Sequence, residues 1–265
     1  SGGTTAPRSR RRSPPPTPVE ALLRLDIVIP AHNEEHRIDR TLAVYRSGCP
    51  DPGVRFHVAM DACTDRTGEI VAAHARDDRR VVAHAYPKLG KGGVIAETFR
   101  RTDADLVGFV DADAATPPAE LLRLADVART ADGAIASRHH PAAVLPATRS
   151  PLRRLTSAGF AFGVRRLLRL PYRDTQCGAK VLRGDVARRV AARTTARDLL
   201  FDVDLLLVAR ELGHRVVEVP TVWVDQDGSR VDPVADTRRM GASLLRLWLA
   251  SLRRRPRRRG VAHAP

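Results

Sequence analysis

The feature that most constrains this chain is an apolar run that ends on two aspartates. Leu106, Val107, Gly108, Phe109 and Val110 lead straight into Asp111, Ala112 and Asp113. The run has the length of a strand, and in extended backbone the i, i+2 spacing sets both carboxylates on one side. Two like charges held so close repel. A shared Mg²⁺ or Mn²⁺, its shell completed by substrate phosphates, relieves that repulsion. The same residues would also serve as a solvated strand end before a helix. Thr116, Pro117 and Pro118 read as an N-cap followed by Pro at the first helical position.

Strand-like runs precede this one at 25–30, 54–60 and 80–84. Helical patterns lie between them. Asn33 reads as the cap of an acidic helix start at Glu34 and Glu35, with Ile38, Leu42 and Tyr45 at helical spacing. Thr64 and Asp65 read as caps of a second helix, and a third follows the loop Gly90-Lys91-Gly92-Gly93. This alternation predicts an α/β fold, a Rossmann-like, mostly parallel open sheet with helices on both faces of one domain over 19–232. In such sheets ligands bind beyond the carboxyl ends of the strands. Pro30, Asp61, Lys91, Asp111 and Asp113 all fall there.

Past Asp113 the pattern continues with a helix over about 118–129, a strand at 134–136 and a helix over about 151–170. A polar stretch at 174–178 leads to helices over about 184–195 and 201–212, then to strands at 216–220 and 222–224. A final helix over about 233–252 places Leu244, Leu245, Leu247, Trp248, Leu249 and Leu252 near one side.

The net charge of +15 belongs mostly to the ends. Residues 1–18 hold four arginines and no acid, and 253–265 hold six more, again with no acid. Both tails are expected to be disordered. Basic tails suit anionic lipid or other polyanions, and compositional drift would produce them too. Three scattered cysteines form neither a disulfide framework nor a zinc pattern, so a reducing, cytoplasmic location is expected. No apolar run is long enough to cross a membrane. SPPPTP follows the first arginines where a signal peptide would carry an apolar segment. The sequence opens on Ser1 rather than Met, as a piece of a longer chain would.

Eight segments, DIVIPAHNEE, DACTDRT, GKGG, FVDADAATP, ASR, DTQCGAK, FDVDLLLVARELG and EVPTVWVDQDGSR, occur in this order. Together, over about 25–232, they resemble the family 2 glycosyltransferases of the GT-A fold. The resemblance is to the dolichyl-phosphate β-glucosyltransferases and the polyprenyl-phosphate sugar synthases. It implies a nucleotide-diphosphate sugar donor, with a UDP-sugar favoured, and a polyprenyl phosphate acceptor. Pro30, Ala31, Asn33 and Glu34 would then edge base and ribose, and Asp61 would accept from the base N–H. Lys91 would reach the diphosphate while the bare glycine backbone approaches it closely. Asp111 and Asp113, flanking Ala112, would hold Mg²⁺ or Mn²⁺ there.

Arg138 would meet a donor or acceptor phosphate. Asp174, Thr175, Gln176 and Lys180 would line the sugar and acceptor site, although Ala179 stands where this branch carries Phe. Asp202 or Asp204, with Asp174, supplies the candidate catalytic carboxylates, and Ser229 and Arg230 would bind the acceptor phosphate. Asp202 and Asp204 would also serve simply as acids at a helix start.

A phosphate acceptor attacks without losing a proton, whereas a hydroxyl acceptor needs a general base. In-line displacement inverts the anomeric centre in either case. The apolar stripe of the last helix, joined to the Arg tail, would place the protein peripherally on the cytoplasmic face of the membrane. Three other readings stand beside this one: the same chemistry on a soluble acceptor, a nucleotidyltransferase, and a basic nucleic-acid-binding protein. No specific nucleic-acid partner is expected, since the aromatic stacking platforms of such proteins are missing.

Overall fold

Runs without polar alternation must be covered on both faces. The computed structural model, which describes residues 23–145, 151–224 and 233–254, shows how. Its strands are β1 (Leu25–Ala31), β2 (Val54–Asp61), β3 (Val81–Tyr86), β4 (Leu106–Phe109), β5 (Gly133–Ser137), β6 (Lys180–Arg183) and β7 (Val216–Pro220). Its helices are α1 (Ile38–Gly48), α2 (Thr67–Asp77), α3 (Lys91–Arg101) and α4 (Pro118–Thr130) in the first half. The second half adds α5 (Pro151–Leu168), α6 (Gly184–Ala191), α7 (Phe201–Glu211) and α8 (Pro233–Arg254). The sheet order is β3-β2-β1-β4-β6-β5-β7. One face packs on α1, α2 and α4, the other on α3, α5, α6, α7 and α8. β1 shows the division: Leu25, Ile27 and Ile29 enter the first core and Val28 the second.

β6 is the exception to the parallel arrangement. It runs antiparallel to both β4 and β5, so its beginning lies at the edge where its neighbours end. The expectation of a polar stretch passing directly to a helix is corrected here. With four residues and charged ends, β6 offers only Val181 and Leu182 as an apolar signal. The expected strand at 222–224 is reduced to a single bridge between Val144 and Val222.

Three helix starts differ from expectation. Asn33 does not cap α1, which begins only at Ile38. It takes a left-handed turn at φ 55°, and its side-chain oxygen accepts from the Thr64 N–H at 2.8 Å. Neither Thr64 nor Asp65 holds the cap position of α2, which is Arg66; Asp65, one residue earlier, accepts from the Thr67 N–H at 3.0 Å. Pro118 does occupy the first position of α4, but Pro117 holds the cap site expected of Thr116.

The amino edge of the sheet is closed by a charge cluster. Asp26, fully buried in β1, receives Arg55 Nε and Nη2 at 2.8 and 3.0 Å. The Thr102 hydroxyl also donates to it, and His57 Nε2 lies 3.1 Å away. Burial pushes the Asp26 carboxyl up, but His57, Arg55 and Thr102 outweigh it and hold the group down at about 2. Cys49, just after α1 at this edge, is buried, and burial lifts its thiol to about 11.

Candidate active site

At the opposite edge, β1, β2 and β4 end around a cleft of about 290 Å³. Pro30, Ala31, Glu34, Asp61, Lys91, Asp111, Ala112 and Asp113 line it, joined by His32, Arg37, Val94 and Leu199. Of the residues expected on the donor side, Asn33 alone lies outside this wall. His32 and Arg37 carried no periodicity or spacing signal of their own. His32 meets the Asp61 carbonyl oxygen at 2.6 Å through Nδ1, and Arg37 donates to Glu34 at 2.8 Å.

Asp61 lines the cleft and also anchors the loop into α3. Its carboxylate accepts from the N–H groups of Leu89 at 2.6 Å and Gly90 at 3.2 Å, and meets Lys88 Nζ at 3.1 Å. Burial opposes its charge, but these donors prevail and its pKa is lowered.

The glycines of the following loop need a different explanation from the one expected. Gly90 has φ 77°, a left-handed conformation. A Cβ there would strike the Arg197 carbonyl, and one at Gly92 would strike Phe201. The bare backbone of this loop is thus occupied by residues 197–201. It secures α3 and leaves Lys91, the first residue of the helix, facing the cleft.

Asp111 lies under unusual pressure. Its Oδ1 meets Lys91 Nζ at 2.7 Å, and a Cβ on Gly178 would collide with its Oδ2. Asp113 accepts from the Ala115 N–H at 3.0 Å. Burial and the neighbouring Asp111 charge together push the Asp113 carboxyl up. A pair of hard oxygen donors on a cleft wall, one of them shared with Lys91, fits a divalent cation whose other ligands are phosphate and water. No group of three His, Cys, Asp or Glu positioned for a metal exists among the described residues, so the protein share would be these two carboxylates.

Behind them runs a line of alternating charges. Lys91 Nζ lies 3.5 Å from Asp202 Oδ2, and the Lys180 ammonium contacts Asp202 Oδ1. Lys180 also donates to the Cys177 carbonyl at 2.7 Å. Burial disfavours the Lys91 ammonium, but Asp111 and Asp202 outweigh it and raise its pKa. Lys180 is 1% exposed, so the expectation that it meets an acceptor phosphate is corrected: it is an internal counter-charge. Cys177 beside it is buried, its thiol pushed up to about 12.

Two more expectations change. Arg138, expected at a phosphate, and Asp174, expected at the sugar and as a catalytic carboxylate, form a fork with each other at 2.7 and 3.0 Å. Arg138 lies over the Trp223 ring at 5.0 Å. Burial works against the Asp174 charge, but Arg138 holds the carboxyl far below its ordinary range. A carboxylate so strongly paired is a poor proton acceptor. Thr175 is buried next to it and Gln176 half-buried. Asp204 is fully buried and accepts from the N–H groups of Thr195 at 2.6 Å and Ala196 at 2.9 Å. It fixes the loop that carries Arg197 and Leu199 and does not line the cleft. Ser229 and Arg230 lie outside the described residues, as do both basic tails beyond Arg254 and before Leu23.

The sequence profile of Glycosyl transferase family 2 matches residues 26–190. The chain belongs to glycosyltransferase family 2. Family 2 membership makes it a glycosyltransferase, and its sheet is of the GT-A type. It is 32% identical over 249 residues to glycosyltransferase AglD of Haloferax volcanii, a match covering 91% of this chain and 39% of that protein. A dolichyl-phosphate β-glucosyltransferase of Drosophila melanogaster is 30% identical, with 87% and 76% covered. An undecaprenyl-phosphate mannosyltransferase of Micrococcus luteus is also 30% identical, with 77% and 85% covered. Among solved structures, glucosyl-3-phosphoglycerate synthase of Mycobacterium tuberculosis, in complex with Mn²⁺, UDP and glucosyl-3-phosphoglycerate, superposes with a TM-score of 0.64. That match has 16% identity and covers 87% of this chain and 80% of the other.

Proposed function

We propose that this family 2 enzyme moves a hexose, glucose from UDP-glucose, to a polyprenyl phosphate at a membrane surface. The observation that carries this reading is the wall formed by Asp111, Asp113 and Lys91, two carboxylates and one ammonium in a cleft at the carboxyl edge of the sheet. Such a wall suits a diphosphate and its counter-cation. The names of the relatives support a polyprenyl phosphate acceptor, and the dolichyl-phosphate enzymes among them support glucose.

In the proposed reaction a phosphate oxygen of the lipid attacks the anomeric carbon as the bond to the nucleoside diphosphate breaks. The electron pair leaves with the diphosphate, and the anomeric centre inverts. Pro30, Ala31, Glu34 and Asp61 would bind the nucleoside, and Lys91 would stabilise the departing charge. Mg²⁺ or Mn²⁺ between Asp111 and Asp113 would supply further charge neutralisation. The acceptor phosphate is already anionic, so no proton need be removed. This suits a site in which Asp174, Asp202 and Asp204, the three candidate bases, are all held by cations or backbone N–H groups. Gln176, half-buried in the same segment, would face the sugar, and Thr175, buried beside Asp174, would support it.

Docking on the cytoplasmic leaflet belongs to the same reading. No helix among the described residues is long and apolar enough to cross a membrane. Leu244 and Leu247 of α8 turn into the core, whereas Leu245, Leu249 and Leu252 are exposed at i, i+4 and i+7. On α5, Phe162 is 67% exposed. An apolar stripe joined to an arginine-rich segment provides the two signals that peripheral binding needs.

The test offers purified protein labelled UDP-glucose or GDP-mannose with Mn²⁺ or Mg²⁺, and either a short polyprenyl phosphate or phosphoglyceric acid. Organic-extractable label that requires the lipid phosphate and the metal supports the reading and names the sugar. Label transferred only to the soluble acid moves the enzyme to that acceptor. Absence of turnover with every pair overturns the proposed donor and acceptor.

A further inference from the structure

The sequence offers Asp202 as a catalytic carboxylate and Lys180 as an acceptor ligand, and neither assignment explains why two lysines and two aspartates alternate from the cleft into the core. Asp111 Oδ1 meets Lys91 Nζ at 2.7 Å, and Lys91 Nζ lies 3.5 Å from Asp202 Oδ2. Lys180 takes the other oxygen of Asp202 and is itself fixed by the Cys177 carbonyl. Phe109 stands beside both ammoniums, its ring centroid 5.7 Å from Lys91 Nζ and 5.2 Å from Lys180 Nζ. Asp202 is 3% exposed and Lys180 1%.

We infer that Asp202 and Lys180 are positioning residues, which hold Lys91 in place to receive the donor diphosphate. The inference rests on reading the cleft as a nucleotide-diphosphate site. Lys91 has two anionic neighbours of different character. Asp111 is partly exposed and shared with the cleft, so a bound cation competes with Lys91 for it and a diphosphate competes with it for Lys91. Asp202 is shut away from solvent and cannot be taken by a ligand. A long, flexible lysine side chain loses substantial rotamer freedom when fixed, and a second, permanent anchor removes part of that cost before the donor arrives.

Lys180 completes the device. By engaging Oδ1 it neutralises Asp202 and leaves only Oδ2 toward Lys91. The ammonium is thereby held at a longer distance rather than captured. A close contact from both oxygens would keep Lys91 from the phosphate, and an unpaired buried carboxylate would be strongly disfavoured. The Cys177 carbonyl that fixes Lys180 belongs to the same short segment as Gly178, which presses on Asp111. One segment therefore sets both neighbours of Lys91.

A positioning role and a general-base role for Asp202 differ in what they change. Asp202→Asn keeps the shape and removes the charge. The expected result is about a tenfold rise in the dissociation constant of UDP with Mn²⁺, measured by calorimetry. The Michaelis constant for the donor should rise by a similar factor, and kcat at saturating donor should fall less than about threefold. Asp202→Asn combined with Lys180→Met removes both buried charges. It should fold, as judged by its melting curve, and show the same weakening, which keeps the test readable where the single variant is unstable. In a Lys91→Met background, Asp202→Asn should add almost no further loss of UDP affinity.

Unchanged UDP affinity with kcat lowered about a hundredfold would overturn the inference and return Asp202 to the role of base. Full additivity of the Lys91 and Asp202 effects would overturn it as well. A wild-type chain that binds no nucleoside diphosphate overturns the reading of the cleft and this inference with it.

Discussion

The two edges of the sheet use the same residue types in opposite ways. At the amino edge, Asp26 is surrounded by Arg55, His57 and Thr102, and its carboxyl is held down at about 2. At the carboxyl edge, Asp113 receives one backbone N–H and faces another carboxylate, and its carboxyl is pushed up. Burial disfavours the charge at both positions. The difference is that Asp26 is bonded directly by its counter-charges, whereas Asp113 has one backbone N–H and only the more distant charges of Arg37 and Lys91, which do not offset burial and Asp111. A carboxylate satisfied within the fold contributes stability. One left unsatisfied in a cleft costs stability and gains a ligand site.

The sharpest way to break this comparison is to remove each carboxylate and read both activity and stability. Asp113→Ala should lower transfer about 10³-fold, on the order of 4 kcal/mol, while the melting temperature stays level or rises because a repulsion is relieved. A collapse in stability with activity retained would make Asp113 a structural residue. Asp26→Asn should do the reverse, costing about 3 kcal/mol in denaturant unfolding because Arg55 loses its buried partner. Its donor Michaelis constant should stay near that of the parent wherever the protein is folded, and a large change there would show that the edges are coupled.

Acid sharpens the contrast further. The Asp26 carboxyl is lower in the folded chain than in the unfolded one, so its contribution is complete above the ordinary value of 3.8. It is lost as the pH falls from there through about 2. The interval corresponds to about 2 kcal/mol. Unfolding free energies measured down this range should fall in the parent and fall less steeply in Asp26→Asn, and parallel curves would refute the assignment. The smallest effect is expected at Gly178. Gly178→Ala places a methyl group against Asp111 and should weaken UDP binding about tenfold, or about 1.4 kcal/mol. Unaltered affinity would show that Asp111 moves aside freely.

Much of the fold could be read from the sequence because burial on both sides writes itself as continuous apolar runs. Leu25–Ala31 and Leu106–Phe109 are of this kind. The position of the cleft followed from the strand–helix alternation. The missing strand, β6, could not be read the same way, since half of it is charged and its buried Lys180 depends on Asp202, 22 positions along the chain. Arg138 and Asp174 are 36 positions apart, and no local pattern reveals that two polar residues will satisfy each other. Asp202 and Asp204 are a different case. Once they are placed on a helix, i and i+2 side chains diverge, so the two do not meet one substrate together. The structure sends one to Lys91 and the other to the backbone of residues 195–196.

The buried thiols give the two edges their own clocks. Cys49 sits at the amino edge and Cys177 at the carboxyl edge, and each remains protonated because burial lifts it to about 11 and about 12. A protonated, enclosed thiol does not react with an alkylating reagent until its surroundings open. Cys63, half-buried near the end of β2, offers an internal standard in the same molecule. Alkylation rates at Cys49 and Cys177, read by mass spectrometry against Cys63, would therefore time the breathing of the amino edge and the carboxyl edge separately, without any residue being substituted.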